Sequence, residues 1–110
     1  MKNGIDHIEE WHHLLATEPA VLVFFYSDSC GVCRALKPRI RELVEVSFPR
    51  MEQVYVRAEL FPELMSRNLV FAFPTIIVFF EGREYLRKSG AFGIQEFRNE
   101  LSRLYHLMFL

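Results

Sequence analysis

Residues 20–33 read Ala20-Val21-Leu22-Val23-Phe24-Phe25-Tyr26-Ser27-Asp28-Ser29-Cys30-Gly31-Val32-Cys33, an unbroken apolar run followed by the only two cysteines of the chain. A short run rich in β-branched and aromatic residues is the pattern of a central strand covered on both faces. From about residue 31 to 47 the period changes. Leu36, Ile40, Leu43 and Val44 share one helical face, while Arg34, Lys37, Arg41, Glu42 and Glu45 lie mostly on the other. Pro38 falls inside this helix and is expected to kink it. Cys30 therefore stands where a strand passes into a helix.

Outward from this junction the chain alternates strand and helix. Ile5, Ile8, Trp11 and Leu15 fit a helix over 5–17, with Asp6 and Glu9 spaced as a capping box and Glu18-Pro19 ending it. Gln53–Ala58 reads as a strand, parallel to the first because a helix connects them. A short helix over about 62–68 starts at Pro62. Thr75–Phe80 and Glu84–Lys88 form a hairpin around Gly82-Arg83. A last helix over 94–108 carries Ile94, Phe97, Leu101, Leu104, Tyr105 and Met108 on one stripe. The fold class is α/β, a three-layer domain with a central mixed sheet flanked by helices.

With 110 residues, the chain reads as a single domain, 1–110. Half of the residues are hydrophobic, eleven of them Phe, enough for a core that needs no disulfide staple. A net charge of −1 argues against nucleic acid as a partner. The longest apolar run has seven residues, far below the roughly 20 that cross a bilayer, so no membrane partner is expected. Met1–Glu10 lack the apolar core of a leader peptide. The expected location is therefore cytoplasmic, where a cysteine pair signals redox chemistry or metal more often than a structural bridge.

The sulfur of Cys30 should meet backbone N–H groups that lack intrahelical acceptors, which favours thiolate over thiol. The helix dipole alone contributes about 0.3–1 kcal/mol, less than the ~1.36 kcal/mol of one pKa unit, so direct hydrogen bonds must supply the rest. Arg34 and Lys37 are candidate cations nearby. Cys33 lies one helical turn on, on the same side, placed to attack a mixed disulfide at Cys30. Cys30 is read as the attacking residue and Cys33 as the resolving one, with Gly31 permitting close approach of a substrate backbone. Two alternatives stay open. Half of a zinc site would need two further ligands, and the histidines, at 7, 12, 13 and 106, do not follow a zinc spacing. Two buried inert cysteines would sit poorly at such a junction.

The stretches VLVFFYSDSCGVCRALKP (21–38), AFPT (72–75), EGRE (81–84) and SGAF (89–92) together resemble the thioredoxin family without gaps from about 21 to 92. The resemblance implies a thioredoxin-like sheet of four strands, or five if the shortened N-terminal segment adds a stub. It also implies a cis Phe73–Pro74 peptide facing the cysteines. Base rates for X–Pro bonds, about 5–6% cis, would not suggest that. A substrate strand would then pair with the backbone of Phe73, with Gly90-Ala91 as the opposite lip of the groove and Val32 on its floor. Of the nearby aromatics, Phe71, Phe73 and Phe92, Phe73 is expected to be the most exposed.

Departures from the family at five positions matter. Val32 replaces a proline and restores an N–H expected to reach Cys30 Sγ. Phe24 replaces a buried aspartate, and Tyr55 the lysine that pairs with it. Ser29 and Tyr26 replace two tryptophans. The resemblance implies a thiol–disulfide oxidoreductase that reduces protein disulfides, needs no cofactor beyond the Cys30–Cys33 disulfide, and takes electrons from a donor such as a reductase. Loss of the buried acid is expected to slow the resolving step. The alternative is a thioredoxin-fold adapter domain with weak turnover, and a third reading is a metal or iron–sulfur carrier using the cysteines across a dimer. The apolar end Leu107–Leu110 is expected to pack on the sheet, or else to serve a weak homodimer of an otherwise monomeric chain.

Overall fold

All seven residues of β1 (Ala20–Tyr26) but the last are buried, which only a central strand achieves. The computed structural model describes residues 4–109. In it β1 pairs in parallel with β2 (Glu52–Arg57) and antiparallel with β3 (Thr75–Phe80), which pairs antiparallel with β4 (Arg83–Ser89). The order is β2-β1-β3-β4. A single parallel bridge from Gly4 to Tyr55 adds a stub beside β2, and Met1–Asn3 lie outside the described residues.

Alternation along β1 builds two cores. Leu22 and Phe24 face α2 (Gly31–Ser47) and α4 (Ile94–Phe109), packing with Leu36, Ile40, Phe97 and Leu101. Val21, Val23 and Phe25 face the other way, toward α1 (Ile8–Thr17) and α3 (Pro62–Arg67), packing with Trp11 and Leu64. The mixed sheet of four strands thus lies between two helical layers, an α/β thioredoxin-like fold.

Several expectations shift. α1 starts at Ile8, not residue 5, and the Glu10 carboxylate, not that of Glu9, accepts from the His7 and Asp6 N–H groups. Ile5 is buried beside Trp11 although it precedes the helix. The residues with positive φ in the hairpin are Glu81 and Gly82, so Arg83 already belongs to β4. Ala58–Leu60, read as the end of a strand and a loop, forms a 3₁₀ turn. α2 continues through Pro38 to Ser47. At the chain end, Phe109 packs on Phe80 and Tyr105, Leu107 is 73% exposed, and Leu110 lies outside the described residues.

A redox disulfide at the end of the sheet

Three strands end together. Phe25, Thr75 and Ser89 stand in one row of the sheet. One residue further along their chains lie Tyr26, Pro74 and Gly90, so the cysteine loop, the Phe73–Pro74 peptide and the Gly90 turn converge at one sheet end. The Phe73–Pro74 bond is cis, and Pro74 is buried. The Gly90 N–H donates to the Pro74 carbonyl at 2.8 Å. Gly90 has φ +71°, which glycine adopts without a Cβ penalty. Beneath this, the buried Thr75 hydroxyl donates to the Ala72 carbonyl at 2.7 Å and lies 3.0 Å from the Ser89 hydroxyl. Thr75 and Ser89 thereby lock the proline turn to the lip strand.

Cys30 and Cys33 are joined by a disulfide, with their Cα atoms 5.3 Å apart. Cys30 is the N-cap of α2, and the Cys33 N–H donates to its Sγ at 3.1 Å. The observed donor is thus Cys33 rather than Val32. The reason is positional: an N-cap side chain is reached by the second or third helical N–H, and here the third is used. Cys30 is partly exposed, whereas Cys33 is buried, the asymmetry that an attacking and a resolving sulfur require. Gly31 is exposed, and a Cβ there would meet nothing within 4 Å, so its openness serves what approaches from outside. Val32 is 48% exposed and lines one shallow groove with Ala91 and Phe92.

The exposed aromatic on this rim is Phe71, at 82%, not Phe73. Phe73 is half-buried because its ring packs on both cores at the sheet end, while Phe71 sits in the loop before the cis bond. Phe92 leans on Phe97.

Sequence reasoning missed the anchor of the loop before Cys30. Arg57 Nε donates to both Asp28 oxygens at 2.9 and 3.0 Å. Glu59 accepts from the Ser27 hydroxyl at 2.8 Å and from the Asp28 N–H at 3.1 Å. The Glu59 carboxyl is held below its ordinary value by its own N–H first, then by the Ser27 hydroxyl. These partners lie about thirty residues from the loop, and no local spacing announces them.

Behind Cys33 the family's acid and lysine are replaced by aromatic packing. Phe24 is fully buried, its ring 5.5 Å from that of Tyr55, whose hydroxyl donates to Gln53 at 2.6 Å. Burial pushes the Tyr55 phenol up to about 12, so it stays neutral at physiological pH. Arg34 is exposed, whereas Lys37 is half-buried, its Nζ 4.4 Å from the Tyr26 ring centroid and 5.3 Å from that of Tyr55. Among the described residues no group of three or more His, Cys, Asp or Glu side chains is arranged to hold a metal ion. Among the described residues no helix is long and apolar enough to cross a membrane either.

A disulfide one turn deep at a helix N-terminus, with one sulfur accessible and a cis-proline beside it, defines a dithiol/disulfide exchange site. Residues 5–103 match the thioredoxin family model, and the chain belongs to the thioredoxin family. It is 30% identical over 89 residues to mitochondrial thioredoxin-2 of Schizosaccharomyces pombe, covering 81% of this chain and 66% of that protein. It is 27% identical over 85 residues to the thioredoxin-like protein YdfQ of Bacillus subtilis, covering 77% and 75%. The fold superposes on Fasciola hepatica thioredoxin with a TM-score of 0.81 at 24% identity, covering 93% of this chain and 98% of that one. The chain is a thiol–disulfide oxidoreductase domain that carries the Cys30–Cys33 pair.

Proposed function

We propose that the domain runs in the reducing direction, on protein disulfides, with Cys30 attacking and Cys33 resolving. The observation that carries this reading is the sulfur asymmetry: Cys30 caps the helix with part of its surface in solvent, and Cys33 is buried one turn behind it. The Cys30 thiolate attacks one sulfur of a substrate disulfide, and the other leaves and takes up a proton. The Cys33 thiolate then attacks Cys30 Sγ, which forms the Cys30–Cys33 disulfide and releases the second substrate thiolate. Two electrons pass to the substrate, and a donor such as a reductase restores the dithiol. No further cofactor enters this scheme. The substrate strand lies along Phe73, between Gly31-Val32 and Gly90-Ala91.

With Phe24 where a buried acid would stand, resolution is slow relative to attack, which suits one dedicated partner. The reading places the domain in a reducing compartment, the cytoplasm, as a monomer or weak homodimer. Insulin reduction driven by dithiothreitol tests the activity: the wild type accelerates it and Cys30→Ser does not. Equal rates would leave the adapter reading. Cys33→Ser should trap the mixed disulfide and so identify the partner by mass spectrometry. Cell fractionation tests the compartment. Sedimentation of the chain with and without residues 107–110 tests self-association through the apolar end.

A further inference from the structure

Cys33 has lost its family acid, yet a half-buried cation reaches its surroundings. Cys33 and Lys37 lie one turn apart on α2 and line a single recess of about 170 Å³ together with Tyr26, Ser27, Asp28 and Arg34. The Lys37 ammonium lies over the faces of Tyr26, which lines this recess, and Tyr55, which lines the adjoining one, at 4.4 and 5.3 Å. Among the described residues no carboxylate pairs with it. The other charged groups around it are Asp28, Arg34, Arg41 and Glu45, the last lining the adjoining recess with Lys37, Arg41 and Tyr55. Asp28, from the β1–α2 loop, is held by Arg57. Arg34, on α2, is exposed. Arg41, one turn further on α2, lies over the Tyr55 ring at 5.1 Å. Tyr26 and Tyr55, from β1 and β2, present rings. The packing side of Cys33 is apolar, with Phe24 and Leu36 in the same cluster. Anionic sulfur is disfavoured in such surroundings unless a cation faces it.

We propose that Lys37 is the electrostatic positioning residue of the resolving step, stabilising the Cys33 thiolate by charge across this recess in place of the acid–lysine pair. The inference rests on the reductase reading of the Cys30–Cys33 pair. In the step itself Cys33 gives its proton to solvent. The thiolate then forms the bond to Cys30 Sγ as the Cys30–substrate bond breaks, and the substrate sulfur leaves with the electron pair. Lys37 keeps its proton throughout. Burial, and next the neighbouring Arg41, lower its pKa from 10.5, consistent with a cation held partly out of water.

The test uses the full chain with Cys30→Ser, so that Cys33 is the one titrating thiol. Its thiolate is followed by ultraviolet absorbance against pH, with Lys37, Lys37→Met and Lys37→Arg compared, and circular dichroism confirming the fold of each. Lys37→Met should reduce the thiolate fraction at neutral pH by about three- to tenfold, a charge effect at partial exposure. Lys37→Arg should keep most of it. In the chain with both cysteines, Lys37→Met should slow decay of the mixed disulfide by about two- to threefold with the attack rate unchanged, less than the loss of thiolate because a more basic thiolate is also a better nucleophile. An unmoved titration, or an equal loss with methionine and arginine, overturns the proposal. A wild-type chain that fails to reduce disulfides overturns the reductase reading instead and leaves the Cys33 titration readable.

Discussion

Phe24 and Tyr55 face each other across the β1–β2 ladder in direct register, their rings 5.5 Å apart on the helix α2 side of the sheet. Two polar partners of the family are replaced here by one apolar contact. A lone carboxylate in this place would be a buried charge without a counterion. Phe24→Asp should therefore destabilise the domain by about 3–5 kcal/mol, comparable with emptying a buried Phe site. The double variant Phe24→Asp/Tyr55→Lys should be less destabilised than the sum of the two single changes. Denaturation midpoints of the four chains measure this, and strict additivity would contradict the pairing.

The two left-handed glycines differ in what surrounds them. At Gly90 an added Cβ has nothing within 4 Å, so Gly90→Ala carries only the backbone cost of φ +71°, about 1–2 kcal/mol. At Gly82, with φ +76°, the Cβ would lie 3.1 Å from the Leu15 carbonyl oxygen. Gly82→Ala should lose more stability than Gly90→Ala. Gly90→Ala should lose activity out of proportion to its stability cost if the lip it forms touches substrate. Thermal melts with parallel insulin assays decide both points.

The Glu59 tether has a pH signature. Its carboxyl is held below the ordinary 4.5, so its contribution is complete above that value and is lost as pH falls through the lowered folded value. The step that the Glu59 carboxyl causes in the amide shifts of Asp28 and Ser29 in proton–nitrogen correlation spectra should have its midpoint below 4.5. In Glu59→Gln that step should disappear. A midpoint above 4.5 in the wild type would show that the carboxylate is not held by the loop.

Val32 is the second residue of α2, and its N–H lacks an intrahelical acceptor. In the dithiol it should add to the Cys33 N–H as a donor toward the Cys30 thiolate. Val32→Pro removes that donor and should make the reduction potential more negative by about 10–30 mV. The wild-type potential should be less negative than the roughly −270 mV of thioredoxin. Equilibration with glutathione or dithiothreitol buffers measures both values, and a potential raised by proline would falsify the donor argument.

Where burial decides an element, the sequence was nearly sufficient. β1 and β3 begin and end as read, because β1 is apolar throughout, β3 is apolar after Thr75, and both are bounded by Pro or polar residues. α2 likewise follows its 3.6-residue stripe. The errors fall where geometry at a few residues decides. Glu10 rather than Glu9 caps α1 because the backbone turns at His7. Phe71 rather than Phe73 is exposed because the Phe73 ring packs on both cores. At the site, Cys30, Cys33 and Pro74 were legible from motifs. Arg57 and Glu59 were not, because they act across long sequence separations; Lys37 was read as a candidate cation near Cys30, but its place against the rings of Tyr26 and Tyr55 was not.

The anchoring of Ser27 and Asp28 by Glu59 and Arg57 sets what a transplant of this site would have to carry. Residues 27–33 are contiguous and look portable. Grafted alone onto another scaffold of the same fold, they would arrive without the two side chains that hold their loop. The transferable unit is discontinuous, 27–33 together with 57–59, and a chimera that moves both pieces should reproduce the donor's redox behaviour better than one that moves the cysteine motif by itself.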